Sequence, residues 1–333
     1  MNNLMMSSST GTRVAIVTGA SSGIGEALTR ELINRGWFVA MADLRESKAL
    51  TDEFGSKAKF YETDVASYDA QAKTFAAVFH SHGRIDALCA NAGIGDRGSI
   101  YILKYRNKDE IPPAPDLKCT DVDWKGVLYG TQLAIHFMRK NPTPGGVIVA
   151  TASIVAMHPH PSYAEYNGTK AAVLNFVRGS AGVLKVKENI RINCVMPGIV
   201  DTAIVPRQMI AAVDPSDITP VSTIVSAYIR LLDDETLTGQ GIECSVDKQL
   251  PFTDPPLMNG KHTKRAATVW DPLFKIMHGE NSGLADAVAG EDFVMQEGRL
   301  ERATAMITLE KGSLHDVDMI AIIPSAMESP WFQ

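Results

Sequence analysis

The chain has 333 residues, 45% of them hydrophobic and 21% charged, and a formal net charge of −6. This composition excludes a disordered or fibrous chain, and at about 150 residues per domain the length allows one large α/β domain with extensions, or two domains. No polybasic stretch occurs, which argues against nucleic acid or an anionic membrane surface as a partner. No apolar run approaches the roughly 20 residues of a bilayer-spanning helix. Residues 1–12 lack the basic and apolar regions of a secretory signal and read as a flexible tail. The cysteines, Cys89, Cys119, Cys194 and Cys244, are scattered without a C-x-x-C pair. Buried free thiols, no metal site and a cytoplasmic setting are the expectation.

In chain order, residues 13–18 (R-V-A-I-V-T) form a short apolar run that predicts a buried strand. A Gly/Ser-rich turn follows, then a helix over 26–35 stopped by Gly36. Strands are predicted at 37–42, 59–63 and 87–90, with helical spacing over 68–80. The pattern continues with a helix at 122–139, a strand at 146–151, a helix at 163–186 and strands at 191–195 and 242–246. Strands alternating with helices describe an α/β fold with a doubly wound parallel sheet, the Rossmann architecture. It is read as one domain over 13–250 with a C-terminal extension over 251–333, whose role the pattern does not assign. Two segments break the rhythm. Residues 96–120 are long, charged and contain Pro112, Pro113 and Pro115, and a loop of that length inside a domain is often functional. After it, P-F-T-D-P-P at 251–256 reads as a linker or a surface crossing, with helices expected at 266–277 and 298–309.

The chemistry concentrates at strand ends. T-G-A-S-S-G-I-G at 18–25 places Gly19, Gly23 and Gly25 between a strand and a helix mouth. Glycine permits the tight turn and a close backbone approach, and a helix N-terminus favours a pyrophosphate. Ser21 and Ser22 add hydroxyl donors. Asp43, ending the second strand, is placed to accept bonds from ribose hydroxyls and to repel a 2′-phosphate, so NAD is expected. Arg45 lies close enough to keep NADP as the alternative. Tyr166 and Lys170 form Y-x-x-x-K, and positions i and i+4 share a helix face. A free tyrosine titrates near pH 10, and an adjacent ammonium lowers that value toward one useful for general acid–base catalysis. Such pairs also occur on ordinary helix surfaces. Ser153 follows the strand at 146–151, on the sheet edge where ligands bind, and its hydroxyl suits a developing alkoxide. His158 and His160 lack an evident third metal ligand and read as pocket wall.

These motifs, together with Asp64-Val65, N-A-G at 91–93 and Pro197-Gly198, occur in the order typical of classical short-chain dehydrogenases/reductases. The resemblance covers roughly 13–250. The stretch at 122–136 (V-D-W-K-G-V-L-Y-G-T-Q-L-A-I-H) is similar to fungal members related to 15-hydroxyprostaglandin dehydrogenase. The resemblance implies an NAD(P)-dependent oxidoreductase that interconverts a secondary alcohol and a ketone, with a ketoreductase of fungal secondary metabolism among its settings. It implies that Gly19, Ser21, Ser22, Gly23, Ile24 and Gly25 line the pyrophosphate and adenosine side, that Asp43 holds the ribose, and that Asp64 and Val65 flank the adenine. Asn91, Ala92 and Gly93 close the middle of the groove, while Pro197, Gly198, Ile199, Val200 and Thr202 contact the nicotinamide. Tyr166 transfers the proton, Lys170 tunes it and binds the nicotinamide ribose, and Ser153 orients the substrate oxygen. A small-molecule alcohol or ketone is the expected partner. A homodimer or homotetramer is also implied, formed through the helices at 122–139 and 163–186.

Asp123 departs from the family pattern, which has an asparagine there that helps hold a relay water. An ionised aspartate accepts hydrogen bonds and donates none, so it either rebuilds the relay as a fourth catalytic residue or serves the structure. The long loop and the extension also depart from the family. A dinucleotide-binding regulator or scaffold without turnover is the alternative function.

Overall fold

The structure, a computed structural model, describes residues 11–289. The apolar runs pair as an eight-stranded sheet in the order β3-β2-β1-β4-β5-β6-β7-β8. The strands are β1 (Val14–Thr18), β2 (Phe38–Asp43), β3 (Ala58–Glu62), β4 (Ala87–Ala90), β5 (Gly146–Thr151), β6 (Ile190–Pro197), β7 (Gly241–Ser245) and β8 (Lys248–Pro251). All neighbours are parallel except β7 and β8, which pair antiparallel across a short hairpin. The order reverses between β1 and β4, and a crevice for ligands opens there at the carboxyl ends of the strands. This is the doubly wound Rossmann sheet that the alternation predicts.

Burial on both faces explains the uninterrupted apolar strands, since a pleated strand sends successive side chains to opposite sides. Ala15 and Val17 face a core built with Leu28 and Leu32 of α1 (Gly23–Asn34) and Ile224 and Tyr228 of α7 (Val221–Asp233). Val14 and Ile16 face the opposite core, shared with Phe75 of α3 (Tyr68–His82), Leu133 of α4 (Gly126–Met138) and Val173 of α5 (Ala164–Glu188). Each fully buried Val, Leu or Ile contributes about 1.5–3 kcal/mol, so the two layers dominate the stability of the sheet.

The described residues up to Met258 form one compact unit and those from Asn259 a second. In the second unit the single helix expected over 266–277 is instead two, α8 (Gly260–Ala267) and α9 (Asp271–His278), separated by extended backbone at Thr268 and Trp270. Pro272 occupies the first turn of α9, where its missing N–H costs nothing, and Val269 and Asp271 bond Val288 across a parallel bridge. The helix expected at 298–309 and nearly all of the expected N-terminal tail lie outside the described residues.

Four elements have no counterpart in the sequence expectation: α2 (Lys48–Phe54), α6 (Arg207–Ala212), α7 and β8. The α7 sequence, V-S-T-I-V-S-A-Y-I-R-L-L-D, is rich in β-branched residues and helical only because its apolar face is buried. β8 takes in Pro251, and Phe252 N–H bonds the carbonyl of Gly241 at 2.8 Å, so the start of the expected linker belongs to the sheet edge. Among the described residues no helix is long and apolar enough to cross a membrane.

Candidate active site

The turn after β1 is built on glycine. Gly19 and Gly23 have φ of +65° and +54°, conformations that side-chain-bearing residues rarely adopt. A Cβ on Gly25 would lie 2.0 Å from the Gly19 carbonyl oxygen and 2.7 Å from the Asn91 side-chain nitrogen, so this position tolerates no side chain. Ser22 is the N-cap residue of α1, yet its hydroxyl makes no cap bond. The first-turn N–H groups therefore lack a side-chain cap at the point where Ser22, Gly23 and Ile24 line the cleft.

Asp43 ends β2 beside this turn. One carboxylate oxygen accepts the Ser21 N–H at 3.0 Å, and the Ser21 hydroxyl donates to the Arg45 carbonyl at 2.7 Å. Asp64 accepts the Ala66 N–H at 2.9 Å and pairs with Lys118 at 3.3 Å. Asn91 spends its side chain on scaffolding: its amide donates to the Thr18 carbonyl at 3.0 Å, and its carbonyl accepts from the Thr151 hydroxyl at 3.2 Å. It thereby ties the ends of β1, β4 and β5 together.

Ser153, Tyr166 and Lys170 meet on the same cleft. Ser153 is buried just beyond β5; its hydroxyl accepts the Val155 N–H at 3.3 Å. Tyr166 is half-buried in the first turn of α5, with Lys170 Nζ 5.3 Å from its ring centre. Lys170 is 2% exposed, donates to the Thr151 carbonyl at 2.9 Å, and lies 3.0 Å from Asp123 Oδ2. Asp123 is fully buried and accepts the Ile94 N–H at 2.8 Å through Oδ1. It sits in one wide π-helical turn, Thr120–Lys125, that runs into α4; such turns recur at functional sites. Burial opposes the Lys170 ammonium, but the Asp123 carboxylate and Tyr166 outweigh it and hold its pKa above the usual lysine value.

Tyr166 differs from the sequence expectation in one respect. Burial pushes its pKa up more than Lys170 pulls it down, and Asp123 adds to the rise, so the phenol of the cofactor-free protein lies above the ordinary tyrosine value. A neighbouring cation lowers the value only where burial does not outweigh it, and the depth of Tyr166 is not readable from the sequence.

The loop over 96–120 reaches both ends of the site. The Asp96 carboxylate accepts the backbone N–H groups of Glu165 at 3.1 Å and Tyr166 at 2.7 Å, capping α5 from outside. Glu165 returns the arrangement, accepting the Thr120 N–H and hydroxyl, each at 2.7 Å. Arg97 and Asp116 pair at 3.7 Å across the loop's neck, and Tyr101 donates to the Pro161 carbonyl at 2.6 Å. Asp96, Cys119 and Glu165 place ligand-type atoms within 4.8 Å of one another, but the two carboxylates are engaged in capping and the Cys119 thiol donates to the Ile94 carbonyl.

The cleft measures about 290 Å³. Its walls include Gly19, Ser22, Gly23, Ile24, Asp43, Asp64, Val65, Asn91, Ala92, Gly93, Ser153, Tyr166, Lys170, Pro197, Gly198, Val200 and Thr202, all anticipated from sequence. Ser21, Gly25, Ile199 and Asp123 stand outside the walls; Asp123 touches the site through Lys170. Leu44 and Ile94 line it without having been anticipated, apolar positions that carry no motif of their own. The donor set fits a dinucleotide: a glycine cradle at a helix N-terminus, a carboxylate at the next strand end, and a hydroxyl–phenol–ammonium group further along one groove.

Comparison with known proteins agrees with this geometry. A family model described as short chain dehydrogenase matches residues 13–210. The short-chain dehydrogenase/reductase prx6 of Penicillium rubens is 53% identical over 297 residues, spanning 85% of this chain and all of the relative. Human 15-hydroxyprostaglandin dehydrogenase (NAD(+)) is 27% identical over 266 residues, 73% of this chain and 94% of its own. The crystal structure of 3-ketoacyl-(acyl-carrier-protein) reductase from Brucella melitensis, complexed with NADH, superposes with a TM-score of 0.60 at 22% identity, covering 70% of this chain and 96% of that one, which shows a shared fold.

Proposed function

The chain belongs to the short chain dehydrogenase family, oxidoreductases acting on CH–OH groups with NAD(P), and on that footing we propose that it interconverts a secondary alcohol and a ketone with NAD, Tyr166 carrying the proton. The observation that carries this reading is the convergence of Ser153, Tyr166 and Lys170 on the cleft that begins at the glycine turn. Bound nicotinamide supplies or accepts the hydride.

The chain's own groups do the rest. Tyr166 donates its proton to the ketone oxygen in reduction and accepts it from the alcohol in oxidation. Ser153 donates a hydrogen bond to the same oxygen, where negative charge develops. Lys170, fixed by the Thr151 carbonyl, keeps a positive charge near the phenol and faces the groove where a ribose would lie. Asp43 accepts ribose hydroxyls, and its carboxylate disfavours a 2′-phosphate. The NAD of the prostaglandin dehydrogenase relatives supports that preference. Asp43, Asp64 and Lys170 are the charged residues of the cleft wall, and Ala203, Ile204 and Val205 add apolar surface to it, which suits a substrate uncharged near the reacting carbon. We assign an oligomer to α4 and α5; a mass by light scattering that stays monomeric at all concentrations would remove it.

The deciding experiment titrates the purified chain with NADH and NADPH in parallel by fluorescence, then assays a panel of secondary alcohols and ketones. Tighter NADH, turnover by the native chain and none by Tyr166→Phe with NADH binding intact are expected. Tighter NADPH would reassign the adenosine end to Arg45. Binding without turnover across the panel would favour a regulator.

A further inference from the structure

An ionisable side chain of the cleft wall, Lys170, is paired with one buried behind it, Asp123. Lys170 is 2% exposed and Asp123 fully buried, with 3.0 Å between ammonium and carboxylate. Gly93 is packed against both: a Cβ there would meet Asp123 Oδ2 at 3.0 Å and Lys170 Nζ at 3.3 Å. Asp123 is held by the Ile94 N–H and Lys170 by the Thr151 carbonyl, so neither can turn away without giving up a bond. Charges this close and this dry are felt as a pair rather than as two separate ions. Lys170 favours the phenolate of Tyr166 and Asp123 opposes it, so the pair favours the phenolate less than Lys170 alone would.

We propose that Asp123 is a positioning residue that offsets part of the field of Lys170 at Tyr166, so that the phenol keeps its proton in the cofactor-free protein and the site rests as a proton donor, set for ketone reduction. The inference rests on the reading of Tyr166 as the proton-transfer group. The other groups facing Tyr166 do not replace this effect. From α5 and its N-cap residue come Lys170, Glu165 and Tyr163, and Glu165 is turned to cap the π-helical turn. From that turn and the residue before it come Asp123 and Cys119, the latter a buried thiol pushed up to about 12 and therefore neutral. From the loop after β4 comes Asp96, whose two oxygens accept N–H bonds at the start of α5, and from β5 comes the uncharged Ser153. Lys170 is a cation 5.3 Å from the centre of the Tyr166 ring, and Asp123 is the anion paired with it.

The test is a tyrosinate titration at 295 nm of the cofactor-free protein. Subtracting the matched Tyr166→Phe curve isolates Tyr166. In the native chain Tyr166 should ionise above pH ~10, the value of free tyrosine. In Asp123→Asn, which keeps the acceptor for Ile94 N–H but removes the charge, the midpoint should fall by about one pH unit or more. The acidic limb of kcat/KM for alcohol oxidation should move the same way, whereas a purely structural role would lower activity at every pH without moving the limb. A midpoint that stays or rises in Asp123→Asn overturns the proposal. So does a native midpoint below that of free tyrosine, which decides the matter alone if the variant does not fold. Absence of turnover would remove the oxidoreductase reading and leave the titration result standing.

Discussion

The Asp96 carboxylate accepts the backbone N–H of Tyr166 at 2.7 Å across 70 positions of chain. The helix that carries Tyr166 and Lys170 is thus capped by the long loop, not by its own N-cap residue, Tyr163, whose side chain makes no cap bond. A cap is worth about 0.5–2 kcal/mol, and here it also sets where the phenol stands. Asp96→Ala should lower the melting temperature and reduce kcat more than NADH affinity, because the glycine turn lies on another element. Equal loss of both, read by fluorescence titration and steady-state kinetics, would contradict this role.

The glycines separate cleanly by position. Gly25→Ala should abolish NADH binding or folding, since its Cβ would overlap the Gly19 carbonyl at 2.0 Å. Gly179, in α5, has open space for 4 Å around the point where a methyl group would stand, and it needs no positive φ. Gly179→Ala should therefore stabilise by about 0.5–1 kcal/mol, as in exposed helix interiors generally. Thermal melts of the two variants should move in opposite directions.

Arg191 is a buried charge with a structural task. Its guanidinium donates to the carbonyls of Leu231 and Leu232, each at 2.7 Å, and of Leu237 at 3.1 Å, closing the end of α7. Burial lowers its pKa from the usual arginine value. Arg191→Met should cost on the order of 3 kcal/mol, because unpaired buried carbonyls carry their full desolvation penalty. Denaturant unfolding with an unchanged m-value would measure it; a loss under about 0.5 kcal/mol would count against the assignment.

The four cysteines are free and buried, and burial pushes each thiol up to about 12. The folded chain should resist an aromatic disulfide reagent at pH 8 and react at all four thiols once denatured. A thiol near pH 8.5 in the unfolded chain but near 12 in the fold binds more protons when folded across that interval. Stability from this source is therefore complete below about pH 8.5 and falls as the pH rises toward 12. Rapid labelling of any thiol in the native protein would show that its burial is transient.

Most strands were legible because they are apolar runs bounded by glycine, proline or a polar strand end, and the cofactor groove was legible because its glycines are forced by backbone geometry. Tyr166 and Lys170 were legible as an i, i+4 pair. α7 and β8 were not, since a β-branched helix and a short polar edge strand take their form from what they pack against. The expected helix over 266–277 failed at Pro272, which begins a helix instead of continuing one.

The sequence by itself determined the alternation of strands and helices, the glycine turn and the identity of the groups available for chemistry, because these depend on local periodicity and backbone sterics. Tertiary structure alone decided which charges meet. Asp123 and Lys170 are 47 positions apart, Asp96 and Tyr166 70, and only the winding of the sheet brings them to 3.0 and 2.7 Å. Electrostatic coupling depends on distance and burial rather than on order along the chain, so the proton affinity of Tyr166 belongs to the fold.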